Sequence, residues 1–224
     1  MPNPDETRRP ASYLQKIGRL RLLSAVAALA ILIVLAGVYE IAHQRSNPAD
    51  AACQAAVNTA KRIAPLARGE VAAFTPAHTP LRVPDLAFKD AKARDVALAD
   101  WRGRAVLLNL WATWCVPCRH EMPALDALQA LLGDSDFQVV AVNIDTQGPD
   151  RVAAFLDDNK IDKLGRYADP STGILQSLKG EGLAQGLPTS VVIDGQGCRL
   201  AAMAGPAEWA SDEAKAVIKA ATGS

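Results

Sequence analysis

The sequence has no charge imbalance, few histidines and no nucleotide fingerprint. Its 24 Lys and Arg match 24 Asp and Glu, and aromatics make up 5% of residues. No basic stripe with interleaved rings is therefore available to follow a phosphate backbone, which argues against nucleic acid as a partner. No Gly-x-Gly-x-x-Gly follows a strand pattern, so electrons for any redox chemistry must come from outside and no bound cofactor is expected. The three histidines, His43, His78 and His120, offer no second ligand pair beside a cysteine pair, so no metal site is expected. Cysteine is limited to four positions: 53, 115, 118 and 198. There is no internal repeat. Half of the 224 residues are apolar, enough for one domain of about 140 residues with accessories and too many for a disordered chain.

The zero net charge hides an asymmetry. Up to residue 80 there are nine Lys and Arg against five Asp and Glu, and the remainder is mildly acidic. Residues 22–38 carry no charge at all, and Tyr39, Ile41 and Ala42 can extend that run to the interface of a bilayer about 30 Å thick. Arg8, Arg9, Lys16, Arg19 and Arg21 precede it, which places residues 1–21 in the cytoplasm and everything beyond the anchor outside. The run exceeds the usual signal-peptide core of about 7 to 15 residues and lacks a small-x-small cleavage site, so an uncleaved anchor at 22–42 is expected. A single-pass membrane protein with its carboxy-terminal domain outside the cytoplasm follows.

Residues 43–80 read as a connector. Within it, 50–64 has helical spacing ended by Pro65, whereas two prolines at 76 and 80 exclude regular structure from 75–80. A domain at 81–224 should then begin with a hairpin, 86–89 against 95–98. The apolar run at 105–111 is a strand buried on both faces, and 137–144 is a second. Helical spacing recurs at 116–132, 150–159, 171–178 and 208–221, and 165–168 reads as a short strand. Asp-Gly-Gln-Gly at 194–197 turns 190–193 back on 199–203 as a hairpin. The pattern describes an α/β fold, a central mixed sheet flanked by helices.

The segment with chemistry is Trp-Ala-Thr-Trp-Cys-Val-Pro-Cys at 111–118, where the first buried strand meets the helix at 116–132. A cysteine at a helix mouth faces unsatisfied amides and the positive end of the dipole, and both favour the thiolate that attacks. Cys118 lies one turn on. Side chains three apart on a helix have Cβ atoms about 5 to 6 Å apart, which suits a reversible disulfide.

This segment closely resembles the thioredoxin-like active site. From about residue 84 to 217 the chain looks most like the TlpA-like group of membrane-anchored, extracytoplasmic thiol:disulfide oxidoreductases. Further matches are Asp-Trp-Arg-Gly-Arg at 100–104, Pro123 within the active-site helix, Gly-Leu-Pro-Thr at 186–189 and the acidic Glu121. The resemblance implies a thioredoxin-like fold with an amino-terminal hairpin and a central insertion at about 148–180. It implies a cis Leu187-Pro188 bond facing the cysteines, and partners in cytochrome c maturation or in assembly of the copper centres of cytochrome oxidase.

Cys115 is then the expected nucleophile and Cys118 the resolving thiol. Glu121 lies under two turns down the helix, where a partly buried carboxylate accepts a thiol proton and an exposed one is merely a common early-turn acid. Cytoplasmic thioredoxins carry a buried aspartate six residues before the nucleophile; this chain has Asn109 there. Trp114, Pro117, Leu187 and Pro188 are expected to form the surface that docks a client peptide. Val116 and Pro117 add no charge or hydrogen bond to the pair, which favours a reductase, and Arg119 and His120 are expected to face solvent. Cys53 and Cys198 are expected to form a structural disulfide, the alternative being two buried free thiols.

The expected activity is reduction of client disulfides by a monomer recharged by a membrane thiol reductant. A copper-delivery module and a thiol oxidant are the alternatives. A thiol peroxidase fits less well, because its threonine stands three residues before the cysteine and Thr113 is two before Cys115.

Overall fold

A computed structural model describes residues 28–38 and 52–223. The chain divides into two units, 1–47 and 48–224. In the first, 28–38 is an apolar helix with exposed side chains. The expected anchor at 22–42 falls partly outside the described residues, and among these no helix is long and apolar enough to cross a membrane.

The second unit is built on one eight-stranded sheet. Its strands in chain order are β1 (Thr75–Pro76), β2 (Ala87–Lys89), β3 (Asp95–Ala97), β4 (Ala105–Trp111), β5 (Phe137–Asn143), β6 (Tyr167–Ala168), β7 (Thr189–Ile193) and β8 (Arg199–Ala204). Across the sheet the order is β1-β8-β7-β4-β5-β6-β2-β3, with β4, β5 and β6 parallel and the other pairings antiparallel. All seven residues of β4 are buried, as befits a central strand covered on both faces. The helices are α1 (Gln54–Ile63), α2 (Val116–Leu132), α3 (Pro149–Asp158), α4 (Gly173–Gly180) and α5 (Asp212–Thr222).

Strand alternation sorts the core into two layers. Leu107, Trp111, Val139 and Val192 pack with residues of α1, α2, α3 and α5 on one face. Val106, Leu108, Leu110, Val140 and Val191 pack with Ile174 and Leu178 of α4 and with the β2–β3 hairpin on the other. Asn109 of β4 and Ser190 of β7 are opposite one another in register, and the same alternation turns both toward the α2 face. Gly103 takes φ +95° in the turn before β4, and a Cβ on Gly195 would come within 3.0 Å of its backbone. That approach lets the Gly103 amide donate to the Gly195 carbonyl at 2.8 Å.

Three features differ from the sequence reading. Residues 75–76, expected to be irregular, form β1 on β8, with Thr75 level with Ala202. Proline is tolerated there because an edge strand leaves one row of amides unused. Cys53, Ala56, Ile63, Val71 and Phe74 join the α2-side core, so residues 52–74 are a packed extension of the domain expected to begin at 81. Finally, α5 starts at Asp212, where the Ser211 hydroxyl accepts from the Ala214 amide at 3.2 Å as the cap, leaving Glu208 outside the helix.

Candidate functional site

Cys115 caps α2, and the amide of Cys118 donates to its Sγ at 3.3 Å. The two cysteines are disulfide-bonded, with an S–S distance of 2.02 Å and Cα atoms 5.3 Å apart. Cys115 is 6% exposed and Cys118 is fully buried, so an incoming sulfur reaches Cys115 first. Trp114, Val116 and Pro117 surround it as exposed side chains. The strand-to-helix connection that carries Cys115 is braced from β5's end. Asp145 accepts from the Thr113 amide at 2.9 Å and from Asn143 Nδ2 at 2.8 Å, which fixes the loop ahead of Cys115.

Leu187-Pro188 is a cis peptide bond, with Leu187 half-buried and Pro188 buried. Since Leu110 pairs with Thr189, one further step along the register brings Pro188 level with Trp111, at the sheet end where Cys115 lies. Arg119 and His120 are both exposed, and the Arg119 guanidinium sits 5.5 Å from the centre of the Phe155 ring of α3. Pro123 lies on the exposed side of α2, which continues through it to Leu132.

Glu121 is buried, at 2% exposure, on the same helical face as Cys118. Three donors converge on its carboxylate. Asn109 Nδ2 donates to Oε1 at 2.8 Å, and both the Ala207 amide, at 3.1 Å, and Trp209 Nε1, at 2.8 Å, donate to Oε2. Asn109 Nδ2 also reaches Ser190 Oγ at 3.0 Å, while its Oδ1 is buried without a partner. Burial pushes the Glu121 pKa up to about 7; the hydrogen bonds from Trp209, Asn109 and Ala207 oppose that rise without cancelling it. A carboxyl poised there takes up or releases a proton at neutral pH, as a general base or acid must.

Cys53, preceding α1, is bonded to Cys198, preceding β8, with Cα atoms 5.4 Å apart. Among the described residues no cysteine is free, and no group of three or more His, Cys, Asp or Glu converges as a metal site. A cavity of about 450 Å³ lies beside the site, lined by Trp111 and Met122 and by Leu156 and Tyr167 of the 148–180 region; neither cysteine nor Glu121 reaches it.

Sequence reasoning did not find Trp209, Ser190 or Asp145. Trp209 is 88 residues from Glu121, in a stretch that reads as the first turn of the helix expected at 208–221 and is irregular in the structure. The pairing of Ser190 with Asn109 becomes visible only once the β4–β7 register is known. Asp145 had a local signal, an acid just beyond a buried strand.

The comparisons with known proteins agree with this geometry. The chain is 41% identical to the thioredoxin-like protein YneN of Bacillus subtilis, over 42% of this chain and 63% of that protein. It is 39% identical to the thiol-disulfide oxidoreductase ResA of Geobacillus thermodenitrificans, over 27% of this chain and 35% of that one. The matched stretches thus span less than two thirds of these relatives. A solved structure named as the thiol:disulfide interchange protein DsbE of Chlorobium tepidum superposes with a TM-score of 0.54 at 33% identity, covering 63% of this chain and 95% of that one. The Redoxin family model matches residues 79–218, more than half of the 224. The chain therefore belongs to the Redoxin family, as a thioredoxin-like thiol:disulfide interchange protein.

Proposed function

We propose that the protein is a disulfide reductase for extracytoplasmic client proteins. The observation that carries this reading is the unequal exposure of a bonded cysteine pair at the mouth of α2, with Cys115 reachable and Cys118 behind it. In the reduced protein the Cys115 thiolate attacks a client disulfide, forming a mixed disulfide and expelling one client thiolate. Cys118 then gives up its proton to the Glu121 carboxylate and attacks Cys115 Sγ, which releases the second client thiolate and restores the pair. Two electrons pass to the client, and a membrane thiol reductant returns them.

Trp114, Pro117 and the backbone of Leu187 receive the client chain beside the cysteines, with Pro188 closing the far side. Cys53 and Cys198 are structural. The protein acts as a monomer held to the bacterial inner membrane by 22–42, with its domain in the periplasm; the charge distribution around that segment supports this orientation. Resemblance to the TlpA-like group supports clients in cytochrome c maturation or assembly of the copper centres of cytochrome oxidase.

The direction rests on Val116 and Pro117, whose side chains offer the Cys115 thiolate neither charge nor hydrogen bond, leaving the helix terminus as its main support. Equilibration with glutathione tests it. A potential near that of thioredoxin, about −270 mV, is expected, whereas one near −120 mV would make the protein an oxidant.

A further inference from the structure

The Glu121 carboxylate is held from three sides, and the supports differ in how they are fixed. Asn109 stands on the central strand β4, and the Ala207 amide belongs to the main chain. The third donor, Trp209 Nε1, is placed only as well as its ring is placed. Trp209 is fully buried and lies outside any helix or strand, between β8 and α5. The Phe74 ring meets it edge to face, with centroids 5.7 Å apart and planes at 73°.

Phe74 comes from the extension that precedes the family match, and that extension is clamped at both ends. Cys53 is bonded to Cys198 ahead of β8, and immediately after Phe74 the chain enters β1, with Thr75 paired to Ala202. The Ala77 amide adds a bond to the Leu200 carbonyl at 2.8 Å. One continuous line therefore runs from the extension through Phe74 and Trp209 to the carboxylate behind the cysteine pair.

We propose that Trp209 is a positioning residue for the exchange reaction and that Phe74 of the amino-terminal extension holds it in place, so that the extension sets the pH range in which Glu121 takes the proton of Cys118. This rests on the reading of Glu121 as proton acceptor. The groups facing the carboxylate are Asn109 from β4, with Ser190 of β7 behind it, and Ala207 and Trp209 from the 205–211 connection. None of these titrates, and the thiols of the reduced pair on its own helix are the titratable groups it serves. Because hydrogen bonds to an ionised carboxylate favour that form, removing the indole donor raises the pH at which Glu121 loses its proton.

The test follows the rate at which Cys118 resolves a preformed Cys115–client mixed disulfide, from about pH 5 to 9 in the full-length protein. Trp209→Phe keeps a ring against Phe74 and deletes the donor; its inflection should move up by about one pH unit, in keeping with one hydrogen bond to a charged acceptor. Phe74→Leu should move it the same way by less, and Glu121→Gln should abolish it. In the wild type, the indole N–H resonance of Trp209 should titrate with the same midpoint and stop doing so in Glu121→Gln. If Glu121→Gln abolishes the inflection but Trp209→Phe leaves it in place, the proposal falls while the reading of Glu121 stands. An unchanged profile in Glu121→Gln removes that reading and the proposal with it. Should Trp209→Phe fail to fold, a flat wild-type indole resonance across this range overturns the proposal.

Discussion

Replacing Glu121 by glutamine should change how stability depends on pH, with a sign and size fixed by burial. The carboxyl is 2% exposed and its pKa is pushed up to about 7 from the ordinary 4.5 it regains on unfolding. Between those values the folded protein binds the proton more tightly than the unfolded chain does. Stability from this group is therefore greatest below about pH 4.5, falls as pH rises, and levels off above about pH 7. The shift corresponds to about 3 kcal/mol. Glutamine carries no titrating proton, and it fits the same shell when Asn109 turns its amide to present the unpartnered Oδ1 to the new Nε2. Urea unfolding of both oxidised proteins across this range gives the difference directly, with other titrations cancelling. The wild type should lose about 3 kcal/mol relative to Glu121→Gln between the two ends. A difference flat to within about 0.5 kcal/mol would refute the raised pKa and the burial argument beneath it.

Two other variants have expected outcomes. Changing both Cys53 and Cys198 to serine opens a loop with a sequence separation of 145; the chain-entropy account puts the loss near 5 kcal/mol, read as a lower urea midpoint. Trp114 is 65% exposed and touches no core, so Trp114→Ala should leave stability within about 0.5 kcal/mol. The same variant should raise KM for a protein client more than it lowers kcat, measured by steady-state reduction of that client.

The centre of the fold was legible because its signals are local. The apolar run of β4, the helical spacing of α2 and the Asp-Gly-Gln-Gly turn between β7 and β8 each name their element without reference to the rest. The cysteine spacing likewise announced its chemistry. What stayed hidden depends on partners far along the chain. Thr75 and Pro76 become a strand because β8 offers its outer edge. Residues 52–74 become part of the domain because Phe74 finds Trp209. Glu121 could be singled out by resemblance, but whether it faced solvent or the interior was decided by a loop more than eighty residues away. Ser211, with Asp212 and Glu213 after it, was a readable helix start. A helix begun at Glu208 covers part of the stretch that instead holds the carboxylate as an irregular connection.

The central claim is that Cys115 Sγ exchanges with the client while Cys118 resolves. Trapping tests it most directly. With Cys118 changed to serine, reduced protein mixed with an oxidised client should accumulate a covalent adduct, and peptide mapping should place the bond on Cys115. A bond found on another cysteine, or turnover undiminished in that variant, would contradict the account.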